Sequence, residues 1–179
     1  MEPVGPLMIE HRLIERMVPV MNRERDRLAD GGEPDPGLID VIADFFRTYA
    51  DRTHHGKEED ILFDALGDKP ISDEHQSTME DLLADHVHGR DCIKRLLAAK
   101  DDAVGGSSEA VHTMTGVLDE LIELYPRHIE TEDKHFFIPC LDYFTEDERQ
   151  EMLDEMWEFD RSFIHDVYNE AVADLEGGD

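Results

Sequence analysis

Cysteine is nearly absent from this 179-residue chain, with Cys92 and Cys140 alone. Two thiols are too few for a disulfide framework, and they form no Cys-x-x-Cys pair, so a reduced, cytoplasmic location is the expectation. Basic residues are scarce too: 17 Lys and Arg stand against 45 Asp and Glu, a net charge of -28. That balance disfavours phosphate backbones and anionic bilayers, so neither nucleic acid nor a membrane is an expected partner. No apolar run approaches bilayer length, and the opening MEPVGPLMIEHRLIE lacks a basic-then-apolar leader. Strand signals are missing as well, because no stretch sustains a two-residue alternation. The acid excess fits an ordinary solvated surface, or adaptation to a salty cytoplasm where screening shortens self-repulsion.

What the chain does have is a histidine–carboxylate set written twice. His11 is followed 43 residues later by His54-His55-Gly56-Lys57-Glu58-Glu59, and His86 is followed 42 residues later by His128-Ile129-Glu130-Thr131-Glu132-Asp133. Glu10-His11 matches Asp85-His86, and each His-x-x-x-Glu pair is followed at the same offset by bulky apolar residues, Leu62-Phe63 and Phe136-Phe137. Residues four apart share one helix face, so each pair can aim a nitrogen and a carboxylate at one point. A lone copy would carry little weight in so acidic a chain. Two copies with matched upstream histidines point to a metal site.

Apolar spacing predicts five helices. The first covers roughly 7–29, with Pro19 inside it expected to bend or split it. Asp35 caps the second, with Pro36 at its first turn, and it ends near Gly67. Ser72 caps the third, Gly105-Gly106-Ser107-Ser108 separates it from the fourth, and Thr145 to Glu148 reads as a capping box opening the fifth. Four long helices with short connections predict an all-α, antiparallel up-down-up-down four-helix bundle, the fifth helix packing outside. An early position on one helix then lies level with a late position on the next, so His11, His54 and Glu58 converge, as do His86, His128 and Glu132. The fifth helix carries Trp157, Phe159 and Phe163, a strip that either covers the bundle or serves a homodimer.

Imidazole and carboxylate without thiolate suit iron, manganese or zinc. One glutamate from each half can bridge two cations, with histidines on the outer positions; a closed structural zinc site takes only four ligands. At these residues the chain resembles the hemerythrin family, in particular its prokaryotic HHE members. The motifs that carry this are Glu10-His11, the run from His54 to Glu59, Asp85-His86 with Gly89-Arg90, and His128 to Asp133 followed by Phe136-Phe137-Ile138-Pro139. The resemblance covers roughly residues 7–142, the four-helix core of what the length suggests is a single domain over 1–179, and the C-terminal helix at about 145–175 lies outside its motif. It implies two non-haem iron ions, with manganese or zinc as substitutes: His11 and His54 on one, His86 and His128 on the other, Glu58 and Glu132 as bridges. Dioxygen, another diatomic or peroxide would be the ligand, bound or sensed rather than turned over. The alternatives are an enzyme acting on peroxide or nitric oxide, or an iron or oxygen sensor working through a protein partner; no redox partner is named by the sequence.

The chain departs from the oxygen carriers at one place. Those have two histidines four apart on the third helix, whereas Leu82 and Arg90 flank His86 at that spacing. A fifth nitrogen is then open to His55, His135 or His165, and its loss would free a position for water, peroxide or substrate. His55 stands about 100° round a regular helix from His54, which turns it away from the site. By the same reasoning Glu59 and Asp133 sit one step aside, facing water or orienting a ligand. Phe63, Phe136 and Phe137 are core residues, Cys92 and Cys140 inert thiols, and His75, His88 and His112 solvent-facing.

Overall fold

The computed structural model describes the backbone of residues 2–176 and the side chains of residues 2–163. Five rods make up the fold: α1 (Gly5–Ala29), α2 (residues 36–67), α3 (Asp73–Val104), α4 (Ser108–Thr131, running on to Cys140) and α5 (Glu146–Glu176). There is no strand among the described residues.

Local chemistry sets the ends. The Asp35 side chain accepts from the Leu38 N–H, Ser72 from His75 and Ser107 from Ala110, each satisfying a first-turn donor that the helix itself cannot. Thr145 and Glu148 cap one another reciprocally, the Glu148 carboxylate accepting from the Thr145 N–H at 2.8 Å. Gly31 follows the end of α1 with φ at +84°, the left-handed position that a side chain would strain. Pro19 does not split α1. Its ring is exposed, and Ile14 and Met21 stay buried on either side, so the missing N–H is lost on the solvent face.

Two apolar cores show the chain direction. Leu7 belongs to the lower core and Ile14 and Met21 to the upper; α2 begins in the upper with Ile39, Ile42 and Phe46 and ends in the lower with Leu62 and Leu66. Next, α3 rises from Leu82 to Ile93 and Leu96, and α4 descends from Met114 and Leu121 to Phe136 and Phe137. Four rods alternating in this way form an antiparallel up-down-up-down bundle. Met152, Leu153 and Met156 of α5 are buried, Phe159 packs on the lower core, and the Arg52 guanidinium lies 5.4 Å from the Phe163 ring centre. The fifth helix therefore covers the bundle, with Trp157 left exposed.

Between the two cores lies a layer of His and Glu, and the helices widen there. In α2, residues Phe45–His55 and Glu58–Phe63 form π-helical turns, and in α4 Glu132–Phe136 does the same. Such turns bond i to i+5 and cluster at functional sites. Both halves of the repeat widen at their glutamate.

Candidate metal centre

The six repeat residues, His11, His54, Glu58, His86, His128 and Glu132, meet in this layer, and all are at most 3% exposed. Each glutamate divides its oxygens. Glu58 Oε1 lies 3.1 Å from His54 Nε2, and its Oε2 lies 3.3 Å from His86 Nε2. Glu132 Oε2 lies 3.2 Å from His11 Nε2, and its Oε1 lies 3.2 Å from His128 Nε2. Each carboxylate thus faces one His from each half, the placement of a bridge between two ions.

The eight inner atoms, four Nε2 and four carboxylate oxygens, are buried without an aligned hydrogen-bond partner. Leaving a buried polar atom unsatisfied costs about 1–3 kcal/mol, so with neutral rings and nothing between them eight in one layer would burden a domain whose whole stability is about 5–15 kcal/mol. Lone pairs converging from imidazole and carboxylate fit metal ions, which remove that cost. Two compact donor groups result: His11, His54, Glu58 and Glu132 in one, His55, Glu58, His86 and His128 in the other.

Outward-facing nitrogens are held by carboxylates. His11 Nδ1 is 2.7 Å from Asp133, His54 Nδ1 2.9 Å from Glu10, His86 Nδ1 2.7 Å from Glu59, and His128 Nδ1 3.4 Å from Asp85. A carboxylate only accepts, so Nδ1 keeps its proton in either charge state, and when the ring is neutral the Nε2 lone pair faces inward, the tautomer a metal needs. The pattern crosses helices with two-fold regularity: α1 orients α2, α2 orients α3, α3 orients α4, and α4 orients α1. Glu59 and Asp133 take the orienting role rather than facing water. The matched acids of Glu10-His11 and Asp85-His86 orient not their neighbours but the second histidine of their own half.

A ring of cations fixes these acids in turn. Lys57 binds Glu10, Arg12 binds Asp133, Arg90 bridges Glu59 and Asp51, and Arg127 pairs with Asp85. Four of only 17 basic residues are spent here. Lys57 is fully buried between Glu10 and Asp160, whose oxygen is 2.6 Å away, and so ties α2 to both α1 and α5. Removing one partner of a buried pair costs about 3–5 kcal/mol. Lys57→Ala is accordingly expected to lose about that much in urea unfolding of the metal-free protein; a loss under 1 kcal/mol would show that the contact is not held in solution.

Burial lowers the basicity of His54 and His128, but the surrounding carboxylates together outweigh it, Glu58, Glu10 and Glu132 about the first and Glu132, Asp85 and Glu58 about the second, lifting both to about 10. Burial would also raise Glu58, yet the facing His54 charge holds it well below the usual carboxylate range. In His55 burial acts first, the His86 charge adds to it, and the ring is pushed down to about 4.

His55 is where the regular-helix expectation fails. It is 3% exposed, stacks on His86 with ring centres 3.8 Å apart, and presents a nitrogen to the group of Glu58, His86 and His128. The turn that contains it is π-helical, so successive residues step less far round the axis than 100° and His54 and His55 both face inward. The fifth nitrogen is thus present, on the second helix rather than the third. His135 is exposed and joins neither group; the His165 side chain lies outside the described residues. Ile129, not a histidine, stands at the corresponding place in the second half, and it is buried.

Aromatic rings close the layer from below. Phe137 stacks on His11 and Phe63 on His86, again one per half. On the other side a cavity of about 320 Å³ reaches His55 and His86, walled by Phe46, Ile93 and Tyr125, with Arg47, Arg90 and Lys94 among its lining. No described helix is long and apolar enough to cross a membrane.

Comparison with curated proteins and with solved structures finds no match. A family model does match: the hemerythrin HHE cation-binding domain, over residues 3–138. With all six repeat residues inside that span, the chain belongs to the hemerythrin HHE cation-binding family.

Proposed function

We propose that this protein holds two iron ions between Glu58 and Glu132 and there binds dioxygen or a related small oxidant, to handle or sense it. His11 and His54 hold one ion; His86, His128 and His55 hold the other. The observation that carries the reading is the division of each glutamate's oxygens between the two histidine groups, with eight buried donor atoms otherwise unsatisfied.

An iron pair, when bound, supplies two electrons to a small oxidant and can recover them. Around it the chain's own residues do three things. The Nδ1-bound acids fix ring orientation and raise ligand basicity. The Phe63 and Phe137 rings exclude bulk water from below. The cavity beside His55 and His86 gives a small ligand a way in from solvent.

The donor set is lopsided, with three histidines on one side and two on the other. An ion held by His11 and His54 would have fewer imidazole donors, and an exogenous ligand would find more room there. Five histidines in all restore the nitrogen count that the sequence of the third helix lacked, which favours binding over turnover. Free, buried Cys92 and Cys140 suit a reducing cytoplasm, the compartment we propose.

Aerobic loading should give about two irons per chain, with the near-ultraviolet absorption of a bridged ferric pair. One iron or none after anaerobic reconstitution would defeat the reading. Exposure of the reduced protein to dioxygen, peroxide and nitric oxide then separates roles: a stoichiometric spectral change marks a binder or sensor, and sustained consumption marks an enzyme.

A further inference from the structure

A second set of donors lies outside the central layer. His88 and Cys92 are four residues apart on α3, hence on one face, and Glu120 of α4 stands opposite them. Cys92 Sγ is 3.7 Å from His88 Nε2 and 3.5 Å from Glu120 Oε2, and His88 Nε2 is 3.4 Å from the same Glu120 oxygen. The three atoms form a nearly equilateral triangle. Bonds of about 2.3 Å to sulfur, 2.0–2.1 Å to nitrogen and 2.0–2.2 Å to oxygen at tetrahedral angles put donors about 3.3–3.6 Å apart. The observed edges agree with that to about 0.2 Å. The His88–Glu120 edge is also longer than a direct hydrogen bond, about 2.7–3.2 Å, as expected of atoms that face a common point rather than one another.

The remaining contacts fit a metal. Arg95 grips Glu120 with two nitrogens at 2.9 and 2.8 Å, and also approaches Asp91 at 3.7 Å. This fixes the carboxylate plane, while Oε2 keeps a second lone pair for a ligand role. The sulfur is buried but the His88 side chain is 46% exposed, so the triangle opens to solvent on one side. Thiolate and carboxylate together neutralise a divalent ion, and the mixture of sulfur, imidazole and carboxylate suits zinc.

We propose that His88, Cys92 and Glu120 form a separate site for one zinc ion, with water as the fourth ligand. Burial, reinforced by the Glu120 charge, pushes the free Cys92 thiol up to about 12. The thiol is therefore protonated when the metal is absent, and binding replaces the S–H bond by a sulfur–zinc bond while releasing one proton to solvent. The site shares no donor with the central layer, so each stands or falls independently.

Cobalt(II) reports on it, because only a thiolate ligand gives a near-ultraviolet sulfur-to-cobalt band, and the central donors contain no sulfur. With the central layer loaded with iron beforehand, titration of the full chain should raise that band to one equivalent, zinc should bleach it, and Cys92→Ser should abolish it. Cys140→Ser should leave it intact, since Cys140 is sealed in the lower core. His88→Ala changes an exposed side chain that folding does not need, and is expected to weaken cobalt binding by ten- to a hundredfold. No band at any cobalt level, a band that survives Cys92→Ser, or unchanged affinity in His88→Ala would each overturn the proposal.

Discussion

Replacing Glu58 by alanine is expected to strip both metal ions, not one. Glu58 belongs to both compact donor groups, with one oxygen 3.1 Å from His54 and the other 3.3 Å from His86. Its loss takes a donor and a negative charge from each ion at once. A histidine, in contrast, serves one ion only. Metal content after desalting should therefore fall from about two per chain to well below one in Glu58→Ala, with affinity down more than a hundredfold. His55→Ala should still load two irons at excess metal, with one of them held about 10–100-fold more weakly, the range seen when a tuning group is lost. Glu58→Gln keeps the shape and removes the charge, so it separates coordination from packing. Circular dichroism before loading checks that each variant is folded. Two tightly held irons in Glu58→Gln would rule out the bridging role and leave Glu58 a neighbour of the centre.

The reach of the sequence was set by which features depend on a regular period. Helix caps at Asp35, Ser72 and Thr145 rest on local hydrogen bonds, and all three form as their residue types predict. The convergence of the six repeated side chains is legible because duplication at matched offsets does not depend on exact helix geometry. His55 departs from expectation for the opposite reason. A rotation of 100° per residue does not hold across a stretch whose turns are π-helical, and no residue between Phe45 and His55 announces the wider turn. The burial of Lys57 is not legible, because a lysine in an acidic helix has the pattern of surface, and only the fold brings Glu10 and Asp160 to it. The orienting acids were half legible. Their pairing with matched histidines was visible, but which ring each one holds is a property of helix neighbours, not of sequence neighbours. Cys92 has the apolar spacing of an inert thiol, and the neighbouring Glu120, on another helix, is not visible from that spacing.

Metal removal should reverse the way stability responds to pH. In the metal-free fold the raised groups are His11, His54, His86 and His128, with His54 and His128 at about 10 against 6.5 when unfolded. A raised folded pKa stabilises fully below the unfolded value, and that contribution is lost as pH rises through the folded one. The lowered carboxylates Glu10, Glu58, Glu59 and Glu132 act at the other end, losing their contribution as pH falls below about 4.5. His55, depressed to about 4, works against the other rings between about 4 and 6.5, since there the unfolded chain binds its proton more readily. Metal-free protein should thus be most stable near pH 6.5 and weaken steadily from there to pH 10, by a few kcal/mol in all. Metal binding needs neutral Nε2 atoms, so the ions must expel the protons of His54 and His128, and affinity grows over the same window. The rise in Tm on loading should consequently be larger at pH 9 than at pH 6.5, by on the order of 10 °C for a chain of this size. Calorimetry at pH 7 in buffers of different ionisation enthalpy should register proton release on loading. A metal-free Tm that climbs from pH 6.5 to 9, or loading without proton release, would mean that the inner histidines are neutral and that the Glu58–Glu132 layer is not the charged cluster its geometry describes.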